Sequence, residues 1–264
     1  VSQPSPDDEI ALEATKAPLM AHLLELRKRL IWAVTGFGIC FVFCFACSTP
    51  IFNFLVRPLH ATTNHLIYTA LTEYFYTQVK IGIFGGLCLG FPWIAAQLWM
   101  FVAPGLYRHE KRAFLPFLIW TPVMFVVGAA FAYYVMLPFT IRFFGSYQIL
   151  PTPGTMGVEL QAKVSDYLDF VTTVMFSFGL TFQLPVLLSL LGRVGMITSK
   201  GLREMRRYAV VGLTAVAGAI TPTDPYSMLS LMAPLMALYE ISIISVMMIE
   251  RRRPNQGDSR GQMR

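Results

Sequence analysis

Six stretches of this 264-residue chain are almost free of charge, and nothing else in it constrains the fold as strongly. Ile31–Ser48, Ile81–Tyr107, Ala113–Ile141, Phe170–Gly192 and Tyr208–Thr223 carry no charged side chain, and Pro225–Ile249 is broken only by Glu240. Roughly twenty apolar residues cross a bilayer as a helix, which satisfies its own backbone polar groups where no water is available. Charged residues make up 14% of the chain, against about a quarter in a soluble domain. The expected fold is therefore an all-α integral membrane protein with six transmembrane helices. No internal repeat and no separate soluble domain is visible. A disordered polar tail is expected over 1–18, a six-helix membrane domain over 19–250, and a basic disordered tail over 251–264. The opening "VSQPSPDDEIALEATKAP" has no basic n-region, so the first span is expected to stay as an anchor.

The bases set the orientation. Alternate connections hold 17 and 4 of the 21 Lys and Arg residues, the four being Arg57, Lys80, Arg142 and Lys163. The richer set stays on the cytoplasmic side, which puts both termini inside. This asymmetry accounts for the net charge of +6. No basic patch with interleaved aromatics calls for a nucleic acid.

Prolines shape the spans. Pro92, Pro116, Pro122, Pro185 and Pro234 each remove a backbone donor, and kinks at these places favour a curved, concave bundle. The fifth span is short: thirteen residues from Tyr208 to Ile220 rise roughly 20 Å against a hydrocarbon core of about 30 Å. Either the bilayer thins beside it or Arg206 and Arg207 snorkel from deeper in the membrane. "TPTDPYS" leaves no room for a loop, so spans five and six form a hairpin tipped by Asp224, a possible N-cap for span six. Cys40, Cys44, Cys47 and Cys88 lie in apolar segments without neighbouring histidines. They are read as small hydrophobes, with no metal site and no cofactor.

Two acids stand among bases at the inner border. In "HLLELRKRL" (His22 to Leu30), Leu19, Leu23, Leu26 and Leu30 share one helical face, while His22, Glu25 and Arg29 gather on another. This segment is expected to lie along the membrane surface before turning into span one. Glu25 either pairs with Arg29 at i,i+4 or stands ready for a cationic ligand. Arg27, Lys28 and Arg29 serve topology on the simplest reading. The loop "APGLYRHEKR" holds the second acid, Glu110, with Trp99 and Tyr107 placed in the interfacial aromatic belt.

"HLLELRKRL", "FVAPGLYRHEKR", "FGLTFQLPV" (Phe178 to Val186) and "ITPTDPYSM" together resemble the TatC family, the multispanning subunit of twin-arginine protein translocases. Order, spacing and span count agree from about Leu19 to Met248. The resemblance implies a receptor in the inner membrane of a bacterium that binds twin-arginine signal peptides of folded cargo. It implies single-span partners of the TatA and TatB types, self-association, and transport driven by proton-motive force. By position, Glu25 and Glu110 would receive the paired arginines, with Arg27 and His22 holding the acids and Phe101 and Tyr107 beside them. Pro58 in "VRPLH" matches a family proline, or simply starts a turn. The long connection that contains it is expected to cap the concave face. Gln183 stands where many family members have glutamate, so no proton can be exchanged there. It either contacts a partner helix or is satisfied within its own bundle. Thr221, Asp224 and Glu240 also fit the family pattern. An intramembrane carboxylate such as Glu240 needs a partner, and Arg206 or Arg207 would have to reach it.

Other classes fit less well. A proton-coupled secondary transporter usually shows repeated halves with matched interruptions, and none is found. An intramembrane hydrolase would need a nucleophile with its base, yet His22, His60, His65 and His109 all lie outside the spans. No G-x-x-x-x-G-K-[ST] phosphate loop occurs, so no enzyme activity is expected.

Overall fold

The structure is a computed structural model that describes residues 6–61, 66–106, 111–149, 156–157, 161–220 and 225–251. Helix α1, Pro6–Ala46, runs unbroken for 41 residues. The leucine stripe therefore continues straight into span one and does not turn along the membrane surface. Its sequence explains this: from Leu19 to Ile31 there is no Gly or Pro, and most residues are strong helix formers. The polar stretch expected as a tail contributes residues 6–18 to this helix.

Span two is α3, Glu73–Leu106, which packs along α1. Small residues let the two backbones meet. A Cβ on Gly86 would lie 2.8 Å from the Phe41 backbone, and one on Gly36 would lie 2.3 Å from the Trp93 ring. Trp93 Nε1 donates to the Trp32 carbonyl at 2.9 Å across the same seam. Span three is α4 (Lys111–Phe131), a π-helical turn (Ala132–Met136) and α5 (Leu137–Gly145). The widened turn sits just ahead of Pro138, whose missing N–H disturbs the ladder there. Span four is split into α6, Val164–Thr181, and α7, Leu184–Val194. The break at Phe182–Gln183 falls where Pro185 cannot donate back to the Thr181 carbonyl. α8 (Ser199–Glu204), α9 (Arg206–Ile220) and α10 (Pro225–Arg251) complete the chain. Phe178, Val171, Leu235 and Val246 are among the fully buried side chains of the core.

Among the described residues, five helical segments are long and apolar enough to cross a membrane, one fewer than the six spans expected. The exception is α9, whose 15 residues rise about 22 Å. It is helical and packs against α10, and its described length is less than the thickness of a hydrocarbon core. The helices that contain Pro92, Pro116, Pro122 and Pro234 run on through them without a break. Among the five prolines placed within spans, only Pro185 lies at a break between helices.

At the end of the bundle away from Glu25, the connection between α1 and α3 folds into a cap. It contains α2 (Ser48–Val56), a 3₁₀ turn (Arg57–Ala61) and β1 (Leu66–Ile67). β1 pairs in parallel with β2 (Ala162–Lys163) in the register Leu66 to Ala162 and Ile67 to Lys163. Pro58 has no N–H to give the Phe54 carbonyl four residues earlier. That carbonyl instead accepts the Arg57 N–H and, at 2.7 Å, the Tyr133 hydroxyl. Tyr167 donates in the same way to Leu55 O at 3.0 Å, so two tyrosines satisfy the end of α2. Glu73 fastens the cap. Its carboxylate accepts from Thr69 N (2.8 Å), Thr69 Oγ1 (3.2 Å), Ala70 N (3.3 Å) and Ser165 N (3.3 Å), with Lys163 Nζ at 3.8 Å.

Candidate functional site

The face of α1 that carries residues 22, 25 and 29 meets residues 97, 100 and 101 of α3. His22 stacks on Phe101 with ring centroids 4.4 Å apart and planes 22° from parallel. One turn on, Glu25 Oε1 lies 3.4 Å from Arg29 Nη2. Arg29 Nη1 then reaches Gln97 Oε1 and Met100 Sδ, both at 3.5 Å. Gln97 is only 6% exposed, so an uncharged acceptor is built into the α3 wall where the guanidinium leans. The contacts to the Glu25 and Gln97 oxygens are long for hydrogen bonds. The side chains of Glu25 and Arg29 stay 33% and 30% exposed. A carboxylate has about four acceptor positions, and a single guanidinium engages Glu25 among the described residues. Glu25 thus retains room for further donors. Beside it runs an apolar groove of about 170 Å³, walled by Leu26, Leu30, Ile94 and Phe101.

Arg27 is exposed, and the partner of Glu25 is Arg29. Tyr107 and Glu110 lie outside the described residues, as do Thr221 and Asp224. The elements that flank Glu110 are α3, ending at Leu106, and α4, starting at Lys111. Leu106 is five residues beyond the Phe101 that stacks on His22. Trp99, expected in the interfacial belt, is covered by protein and donates from Nε1 to Thr121 Oγ1 at 2.9 Å.

That contact leads to Gln183. Thr121 passes its own hydroxyl proton to Phe117 O (2.8 Å), and its carbonyl accepts from Gln183 Nε2 at 2.9 Å. A polar chain thereby joins α3, α4 and the break between α6 and α7. The nitrogen of the Gln183 amide donates inside the bundle, whereas Oε1 is buried with no hydrogen-bond donor among the described residues. Glu240 is paired, as its place in a span demands: Arg206 Nη2 donates to Oε2 at 2.6 Å. The pair sits on an open flank, with side chains 51% and 40% exposed for Arg206 and Glu240. Pro58 is half-buried in the 3₁₀ turn. Sequence reasoning passed over Gln97 and Glu73. Gln97 is a polar residue facing α1 from within an apolar run. Glu73 opens a helix after Thr69 and Thr72, at a spacing that forms no capping box, so no local signal marked it. No group of three or more His, Cys, Asp or Glu among the described residues is arranged to hold a metal ion.

The family model described as Sec-independent protein translocase protein (TatC) matches residues 21–234. A Sec-independent protein translocase protein TatC from Magnetococcus marinus is 41% identical over 244 residues, covering 91% of this chain and 88% of that one. One from Rickettsia prowazekii is 37% identical over 240 residues, covering 88% and 93%. The crystal structure of a twin-arginine translocase receptor, TatC, superposes with a TM-score of 0.77 at 33% identity, covering 87% of this chain and all of that one. A break at Gln183, a cap fastened beyond α1 and an acid-bearing α1–α3 seam thus sit in the fold of a multi-pass translocase component that is not an enzyme, and the chain belongs to the TatC family of Sec-independent protein translocase proteins.

Proposed function

We propose that this protein is the signal-peptide receptor and assembly scaffold of a twin-arginine translocase in a bacterial inner membrane, with both termini in the cytoplasm. Glu25 and Glu110 receive the two guanidinium groups of the signal peptide, each carboxylate forming a charge-assisted pair. The observation that carries this reading is the state of Glu25: partly exposed, held by one long contact, and open to more donors. Arg29 and Gln97 set its position, and His22 on Phe101 fixes the neighbouring turn of α1 against α3. The groove along Leu26 and Leu30 suits the apolar stretch that follows the arginines in such a peptide. TatA-type and TatB-type helices gather at the flank carrying Arg206 and Glu240 and at the hairpin tip of Thr221 and Asp224, and the Gln183 break lets the bundle adapt to them. Pro58 supports the cap on the opposite side. Energy comes from proton-motive force.

The test is photocrosslinking in membranes. A photoreactive residue at Leu24 is offered a twin-arginine precursor and its Lys-Lys counterpart. Adducts are expected with the arginine form and at most a tenth as many with the lysine form. Equal yields from both would sink the assignment. Glu110→Arg should abolish docking while the protein still inserts.

A further inference from the structure

The end of the bundle opposite Glu25 contains a second site of different chemistry. Bases are scarce there. Two of the four are neutralised, Lys80 by Asp169 at 2.7 Å and Lys163 by Glu73 at 3.8 Å. Arg57 is exposed and pairs with no acid among the described residues. It borders a cavity of about 590 Å³ whose rim also holds Asn53, His60, Tyr68 and Tyr74, over a floor that includes Val56 and Leu59. No acid among the described residues lines it. Among the described residues Arg142 is the other base there without a carboxylate partner, and it does not line this cavity.

The opposite face of α2 is different. Ile51, Phe54 and Leu55 roof an apolar cavity of about 520 Å³ between α1 and α4, backed by Cys88, Phe125 and Met175. This space is open along one side, and its apolar walls give water no hydrogen-bonding partners. In a bilayer, hydrocarbon is the filler at hand. Arg57 stands at the end of the helix that divides the two cavities. Its N–H and the Tyr133 hydroxyl meet on the same Phe54 carbonyl, and Tyr133 also lines the apolar cavity. A cation above and a greasy slot below one interfacial helix match the two ends of a phospholipid.

We propose that this end of the bundle binds one anionic phospholipid, its phosphate on Arg57 beside His60 and one acyl chain in the cavity under α2. A guanidinium offers phosphate two parallel donors, and the ammonium of a zwitterionic headgroup competes with it for that phosphate. Anionic lipid is therefore favoured.

Native mass spectrometry of the full chain in detergent, with equimolar dioleoyl phosphatidylglycerol and dioleoyl phosphatidylcholine, tests this. One phosphatidylglycerol should be retained about tenfold over phosphatidylcholine. Arg57→Gln should erase that preference, and Arg57→Lys should keep part of it. Ala130→Phe, which fills the apolar cavity, should release both lipids; Leu89→Trp at its edge serves if that variant fails to fold. Glycerol 3-phosphate, a headgroup without a chain, should not displace the bound lipid. Equal retention of the two lipids by the unaltered chain, or an unchanged preference in Arg57→Gln, overturns the headgroup site. Full retention in both cavity-filled variants, or displacement by glycerol 3-phosphate, overturns the acyl slot.

Discussion

Glu25 and Glu73 each mark one end of the α1–α3 pair, and their surroundings are opposites. Glu73 is 7% exposed and its two oxygens take four hydrogen bonds from two separate connections, with a lysine nearby. Glu25 is one-third exposed and has one arginine at 3.4 Å. An acid whose oxygens already take several buried donors holds a structure together, because removing it strands those donors. An acid engaged at one long contact adds little to stability, since exposed i,i+4 pairs are worth only a few tenths of a kcal/mol. The difference teaches how to tell a clasp from a docking point: count the donors already spent.

The sharpest way to break that contrast is to delete each acid. Glu73→Ala leaves the N–H groups of Thr69, Ala70 and Ser165 without their acceptor and frees the β1–β2 junction. The unfolding midpoint in detergent should fall by about 5 °C or more. Glu25→Ala should move it by no more than about 1 °C. Similar losses from both would show that Glu25 is structural too.

Binding should invert the order. Glu25→Gln keeps the shape and one acceptor but removes the charge, and affinity for a twin-arginine peptide should fall about tenfold or more. Glu73→Gln should leave that affinity unchanged. Isothermal titration with the detergent-solubilised protein reads both, and a peptide that binds Glu25→Gln normally would remove the acid from the site.

The same contrast explains what could be read without coordinates. Spans one to four and six were legible because the property that makes them, an uncharged run of adequate length, is written residue by residue. The short α9 was legible for the same reason. The break at Gln183 followed from Pro185, but the continuous helices through Pro92 and Pro234 did not, because neighbouring helices decide whether a lost hydrogen bond becomes a break. The π turn before Pro138 was missed on the same grounds. Glu25 stood out through its basic surroundings and a recurring motif. Glu73 did not, since its donors come from residues as distant as Ser165, and two-residue strands carry no periodicity to detect. Glu240 announced that it needed a partner, and only the fold could choose Arg206 over Arg207.

That ion pair gives a smaller effect. At 2.6 Å its geometry is good, but both side chains are about half exposed on the flank of the bundle. Glu240→Gln should cost about 1 kcal/mol or less in a denaturant titration. The reversed pair, Arg206→Glu with Glu240→Arg, should recover most of that loss. Partner helices should co-purify poorly with either single change if this flank is where they dock, and a full recovery of stability without recovery of co-purification would separate the two roles.

The smallest effect is expected at Gln183, for a reason opposite to Glu73. Its Nε2 donates to the Thr121 carbonyl, while Oε1 is already buried without a donor. Replacing it with methionine gives up one hydrogen bond and at the same time removes the stranded acceptor, two terms of similar size and opposite sign. The volume is nearly kept, so little cavity opens. Stability of Gln183→Met should therefore lie within about 0.5 kcal/mol of the unaltered protein, whereas Gln183→Ala adds a cavity and should lose more. A large loss in the methionine variant would mean that Oε1 does find a donor in the membrane, and a polar group from a partner helix would be the first place to look. Co-purification of single-span partners with Gln183→Met separates these cases: normal recovery makes the amide an internal brace, and loss of partners at unchanged stability makes it a contact.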